Sequence, residues 1–166
     1  MYTHPSVALP LKQRARQGRR LVAVDIENVV GGAVLDVAVA AEAWQRIDEV
    51  IGCHRQDQVV VGASHISAIA AWRARSSARL VVRSGANGAD IALLQVLEEE
   101  SIESRFDEVV VVSGDGIFSD AVARLGRFGV HVTVASRRSC LARQLRMAAA
   151  AQVLIPDFEQ TMGSAA

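Results

Sequence analysis

Leu21-Val22-Ala23-Val24-Asp25-Ile26-Glu27-Asn28 is the stretch on which the fold turns. Four apolar residues run into a carboxylate, and Glu27 and Asn28 follow at once. The same figure returns at Val109-Val110-Val111-Val112-Ser113-Gly114-Asp115, with Asp120 five residues later. Short Val-rich runs of this kind suit strands covered on both faces. Runs at 58–63, 79–83, 130–135 and 152–155 join those at 21–26 and 108–113. Helical patterns at about 34–51, 66–76, 89–104, 118–128 and 138–149 lie between them, and Gly31-Gly32, Gly85, Gly88 and Gly129 mark the boundaries. This alternation predicts an α/β fold in three layers, a central parallel sheet with helices on both faces and right-handed crossovers.

In such a sheet, groups just past the carboxyl ends of the strands converge on one crevice. Asp25 and Asp115 reach it by that rule, and Asp90 opens the helical pattern Ile91-Ala92-Leu93-Leu94. Several unpaired anions gathered there repel one another unless a divalent cation sits among them. The pattern therefore points to a Mg²⁺ or Mn²⁺ pocket and to phosphate chemistry. Each residue also has a plainer reading. Asp25 and Asn28 suit a turn, and Asp90 alone suits a helix cap. Asn28 otherwise serves as a neutral ligand and substrate donor. Gly114 and Gly116 let the backbone beside Asp115 approach an ion or a phosphate closely, and the Ser113 hydroxyl is placed to hydrogen-bond a ligand carboxylate or substrate.

Length and composition bound the rest. A chain of 166 residues, 51% apolar, fits one domain. That domain is expected over residues 20–156, after a basic arm at 1–19 and before a tail at 157–166. No apolar run approaches the ~20 residues of a membrane-spanning helix. Met1-Tyr2-Thr3-His4-Pro5 lacks the charged and apolar regions of a secretory signal. Cys53 and Cys140 are isolated, so a reduced, cytoplasmic setting is expected. Trp44 and Trp72 are expected as core anchors, and Glu98-Glu99-Glu100 as a solvated helix face. His65 is either structural or in touch with substrate.

Formal net charge is zero, yet the charge is unevenly placed, and only Lys12 among the 18 basic residues is lysine. Lys12, Arg14, Arg16, Arg19 and Arg20 crowd one segment; Arg137, Arg138, Arg143 and Arg146 lie near the last helix. These clusters are solvated faces or a nucleic-acid footprint.

Three segments together resemble the NYN branch of the PIN-like nucleases. They are Val24-Asp25-Ile26-Glu27-Asn28, then Gly88-Ala89-Asp90-Ile91-Ala92-Leu93, then Val112-Ser113-Gly114-Asp115-Gly116-Ile117-Phe118. Gly129-Val130-His131-Val132 matches the closing glycine-then-strand pattern, so the resemblance spans about residues 20–136. It implies a PIN-like, Rossmann-like α/β/α sandwich and a metal-dependent endoribonuclease acting on RNA, with single-stranded RNA the expected partner. Asp25, Asp90 and Asp115 would hold the metal, with Asn28 lining the site. One departure stands out: the family's second acid in S-G-D-S-D-F is Ile117 here, which bears on a second metal and on catalysis itself. Asp120 is the candidate to replace it as a fourth catalytic acid. Arg83, at a strand end, is the candidate for contact with the RNA backbone.

Two rival readings stand beside this one. Gly114-Asp115 followed by Asp120 also looks like the late acidic motif of haloacid dehalogenase-like phosphatases, with Asp25 as nucleophile. That family has Asp two positions after the nucleophile, where this chain has Glu27, and a basic residue, usually lysine, between the motifs. The other rival is an NYN-like domain that binds RNA or regulates without cutting. Pairing of two copies through an apolar helix face is a further expectation.

Overall fold

The computed structural model describes residues 18–157. The arm and the tail read from the sequence lie outside the described residues, apart from Gly18, Arg19 and Asp157. Six strands form one all-parallel sheet: β1 (Arg20–Asp25), β2 (Gln58–Ala63), β3 (Arg79–Val82), β4 (Glu108–Val112), β5 (His131–Arg137) and β6 (Ala151–Ile155). Their spatial order is β3-β2-β1-β4-β5-β6. The chain winds outward from β1 in one direction through β2 and β3, then in the other through β4 to β6. That reversal leaves an opening between the exits of β1 and β4, where ligands of such sheets bind.

The helices are α1 (Ile26–Val30), α2 (Val37–Ile51), α3 (Ala68–Ala74), α4 (Gly88–Glu99), α5 (Ile102–Arg105), α6 (Ser119–Arg127) and α7 (Arg143–Ala148). Strand alternation divides the core between two layers. Val22, Val24, Val61, Val110 and Val112 pack under α2 and α3 with Trp44, Ile47 and Ile51. Leu21, Ala23, Val109, Val111 and Val132 pack on the other side with Leu93, Leu97 and Leu125 of α4 and α6. β1 and β4 are thus apolar on both faces, which is why their sequences run without a polar break.

The expected strands match closely, while the helices differ where a capping group intervenes. The run ending at Ile26 stops at Asp25, whose carboxylate caps the unexpected short helix α1. Asp36 caps α2 and delays its start to Val37. The single helix expected over 89–104 breaks at Ser101, which takes a left-handed φ of 50°. Trp72 is not a core anchor: it is 51% exposed on α3, and only Trp44 is buried. Nor is the Glu98-Glu99-Glu100 run wholly solvated. Glu100 accepts two hydrogen bonds from Arg79 and pairs with Arg105.

Arg20 corrects the picture of a uniformly basic arm. It is the first residue of β1, and its guanidinium is buried against Asp57 at 2.7 Å. The same group donates to the carbonyls of Ile51 and Gly52, at 3.2 and 3.1 Å. Removing one partner of a buried, hydrogen-bonded pair leaves the other uncompensated. Arg20→Ala is therefore expected to lower unfolding free energy by about 3–5 kcal/mol in urea titration. A loss under about 1 kcal/mol would mean the pair behaves as a solvated one. Among the described residues, no helix is long and apolar enough to cross a membrane.

Candidate active site

The carboxylates gather at the opening between β1 and β4. Asp25 is the last residue of β1 and only 2% exposed. One of its oxygens accepts from the Asn28 backbone N–H at 3.1 Å, and the other from the Ser113 hydroxyl at 3.1 Å. Its side chain is also hydrogen-bonded to that of Asp90. Two carboxyls in such contact share a proton, because like charges at that range cannot both ionise. Burial first, then Asp90, pushes the Asp25 carboxyl up to about 8, against the opposing bonds from Asn28 and Ser113.

Asp90 arrives from β3 and α4. Gly88 opens that helix so close to Arg83 that a Cβ there would run into the Arg83 carbonyl. The glycine therefore lets the first turn of α4 lie against the exit of β3, with Asp90 turned inward. Burial, together with the charges of Asp115 and Glu27, raises the Asp90 carboxyl above the ordinary carboxylate range, although its bond to Asp25 opposes this.

Asp115 is set by the loop after β4. It caps a 3₁₀ turn, Gly116–Phe118, by accepting from the Ile117 N–H at 2.9 Å. Ser113 joins it to Asp25: the same hydroxyl that donates to Asp25 accepts from the Asp115 N–H at 3.2 Å. Ser113 thus holds two candidate ligands in place. Asn28 has a similar part, since its side-chain oxygen accepts from the Gly114 N–H at 2.9 Å. That bond leaves the Asn28 amide NH₂ as the donor available to a ligand.

The remaining candidates lie farther out. Arg83 is exposed just past β3. Asp120 is exposed in the first turn of α6, two residues beyond buried Phe118. It makes none of the hydrogen bonds that join Asp25, Asp90, Ser113 and Asp115. Ile117, at the position of the missing acid, is 38% exposed.

Two partners escaped the sequence reading. Glu27 turns toward β2, where its carboxylate accepts from both the backbone N–H and the hydroxyl of Ser64. Ser64 follows β2 as Ser113 follows β4, so the strand-exit rule that found Ser113 also marks Ser64. Arg137, at the end of β5, donates to the Asn28 carbonyl at 3.1 Å. No sequence signal links those two residues, which are far apart in the chain and meet only through the sheet order.

The donor set is all oxygen and crowded with charge, which suits a hard divalent cation. Among the described residues, no three His, Cys, Asp or Glu side chains stand close enough to form a ready-made metal cage. Mg²⁺ needs no such cage, since it keeps several waters and takes one or two carboxylates directly. Burial and Asp90 favour a proton on Asp25, and that proton is the charge such a cation would displace.

A model of the NYN domain matches residues 21–155, which cover all three acidic segments. The chain belongs to the NYN domain family. This family lies in the PIN-like nuclease superfamily, so the NYN domain described here is of nuclease-like type. Its architecture also resembles a crystal structure of a protein of unknown function from Vibrio parahaemolyticus. The two share 21% identity with a TM-score of 0.58, over 87% of this chain and 97% of the other. That likeness bears on the fold alone. No curated protein matches the chain.

Proposed function

We propose that this NYN domain is a metal-dependent endoribonuclease that hydrolyses phosphodiester bonds of single-stranded RNA. One observation carries the reading. Asp25 and Asp90 are forced together at the switch point of a parallel sheet, and Asp115 is held beside them by Ser113. Such an arrangement is unfavourable for a metal-free protein, and a cation-binding role accounts for it.

Asp25, Asp90 and Asp115 would hold Mg²⁺ or Mn²⁺. When bound, the ion lowers the pKa of a water and neutralises charge on the reacting phosphate. Ser113 and the Asn28 backbone fix the Asp25 carboxylate, so its lone pairs need no reorientation as the substrate reacts. The Asn28 amide NH₂ donates toward substrate. Arg83 contacts the RNA backbone from the β3 side. Exposed Asp120 takes the outermost place among the acids and acts on the centre through water. A soluble, cytoplasmic placement stays part of this proposal.

End-labelled single-stranded RNA with Mn²⁺ provides the test. Cleavage is expected from the wild type, and it should vanish in EDTA. Asp115→Asn should slow it by about 100-fold or more, and Asp120→Asn by about tenfold or less, since the former loses a held ligand and the latter an exposed one. A folded wild type that binds Mn²⁺ and RNA but never cuts would overturn the enzyme reading. It would favour the second one, an RNA-binding domain weakened at Ile117, whose exposed apolar side chain stands where the family carries an acid.

A further inference from the structure

We infer that the arginines of residues 137–146 form a phosphate track that leads a single-stranded nucleic acid to the carboxylates from the β5 side. The inference rests on the proposed nucleic-acid substrate, but not on cleavage. Its first support is the sequence itself. From Ala121 through Pro156 there is no Asp or Glu, while Arg124, Arg127, Arg137, Arg138, Arg143 and Arg146 all fall there. In a chain of zero net charge, this is a strong local imbalance.

The fold puts part of that imbalance against the acidic loop. Arg137 and Arg138 stand at the exit of β5, the strand beside β4, so they share the sheet edge that carries Ser113 and Asp115. The segment beyond then lies on the loop. The Ala142 N–H donates to the Gly114 carbonyl at 2.8 Å, and the Gln144 amide donates to the Gly116 carbonyl at 3.2 Å. Gly114 is packed so tightly under it that a Cβ would meet the Cys140 carbonyl and the Ser136 hydroxyl. Arg143 sits between the two residues that make those bonds. Arg138, Arg143 and Arg146 are exposed, and none is paired with a carboxylate among the described residues.

Arg137 anchors the inner end of the track. It holds the Asn28 carbonyl, and its Nε is buried without a hydrogen-bond partner. Asp157, at 4.0 Å, is its nearest carboxylate. The opposite flank is built differently. There exposed Arg83 follows β3, Glu27 turns to β2 and Asp90 opens α4, so a polyanion meets mixed charge. Arg19 and Arg20, the two members of the amino-terminal basic cluster among the described residues, are also badly placed for the site. Arg20 is spent on Asp57, and the Arg19 N–H on Asp107, at the edge of the sheet where β1 begins. That edge lies about one strand length, ~20 Å, from the carboxylates.

Fluorescence anisotropy with a labelled single-stranded oligoribonucleotide in EDTA tests this without any turnover, with the matching oligodeoxyribonucleotide as a second arm. Arg138→Ala/Arg143→Ala is expected to weaken binding at least about tenfold and to lower the salt slope by about 1.4, which is two phosphate contacts on a single strand. Arg138→Lys/Arg143→Lys should keep the slope, because lysine retains the point charge. Arg127→Ala removes an equally exposed arginine at the far end of α6 and should leave both quantities near wild type. Thermal melting confirms that each variant is folded. Equal losses for RNA and DNA support phosphate contact; losses confined to RNA would point to the 2′-hydroxyl instead and overturn the phosphate track. An unchanged slope in the double Ala variant, or an equal loss in Arg127→Ala, overturns the track. Wild type that binds with the expected slope but never cuts with Mn²⁺ leaves the track standing and removes only the nuclease reading.

Discussion

Asp25→Asn should yield a protein that cuts RNA about 100-fold more slowly, or worse, yet melts higher than the wild type at pH 8 without metal. The two effects share one cause. A free aspartate titrates near 3.8, while burial and Asp90 push Asp25 up to about 8. Between those values the folded protein binds a proton that the unfolded chain releases. Stability attributable to Asp25 is therefore complete below pH 4 and falls as pH rises toward 8. The upper bound on that fall is ~5 kcal/mol, reduced by relaxation and water entry. Asparagine is neutral at every pH. Its oxygen can still accept from the Asn28 N–H, and its NH₂ can donate to Asp90. We expect a gain of about 1–3 kcal/mol at pH 8 in EDTA and a clearly smaller one at pH 5, where most of the fall has still to come. Calorimetric melts at the two pH values, beside the cleavage assay, check this. A variant that melts lower than wild type at pH 8 would show that the carboxylates are not in conflict.

Mn²⁺ should reverse the same penalty in the wild type. Binding must displace the proton shared by Asp25 and Asp90, so about one proton is expected to leave per ion bound near pH 7. Affinity should then rise by close to tenfold per pH unit between about 5 and 7, and level off above 8. Titration calorimetry in two buffers of different ionisation enthalpy measures the proton count directly. Wild type that binds Mn²⁺ with no proton release would place the ion elsewhere. Asp25→Asn should lose both the pH dependence and most of the affinity.

The sheet was legible because every strand is an apolar run bounded by polar or turn residues, and strands buried on both faces leave that mark whatever their neighbours. Their order was not, since Val-rich runs carry no address. Among the acids, Asp25, Asp90 and Asp115 announced themselves as breaks in apolar patterns; the structure puts Asp25 against Asp90, with the charge of Asp115 felt at Asp90. What the sequence could not supply was who holds them. The Ser113 bond to Asp25, the Ser64 bonds to Glu27 and the Arg137 bond to Asn28 all join strand exits that become neighbours only after the sheet has formed. Trp72 misled for a related reason. A tryptophan in a short amphipathic helix looks like a core residue, and which face of α3 turns outward depends on how it docks against α2.

Arg20 and Asp25 mark the two ends of a strand whose interior is wholly apolar, and together they act as a reading frame. Five of the strands draw on nearly interchangeable valines, so sliding β1 along its neighbours by two residues would keep every side chain on its proper face. Such a slip would barely change the apolar packing. It would, however, carry one charged end into the middle of the sheet and pull the other from its partners, because Arg20 matches Asp57 and Asp25 matches Ser113 in only one alignment. The ionic termini thus select one register from several that the hydrophobic effect alone would scarcely tell apart.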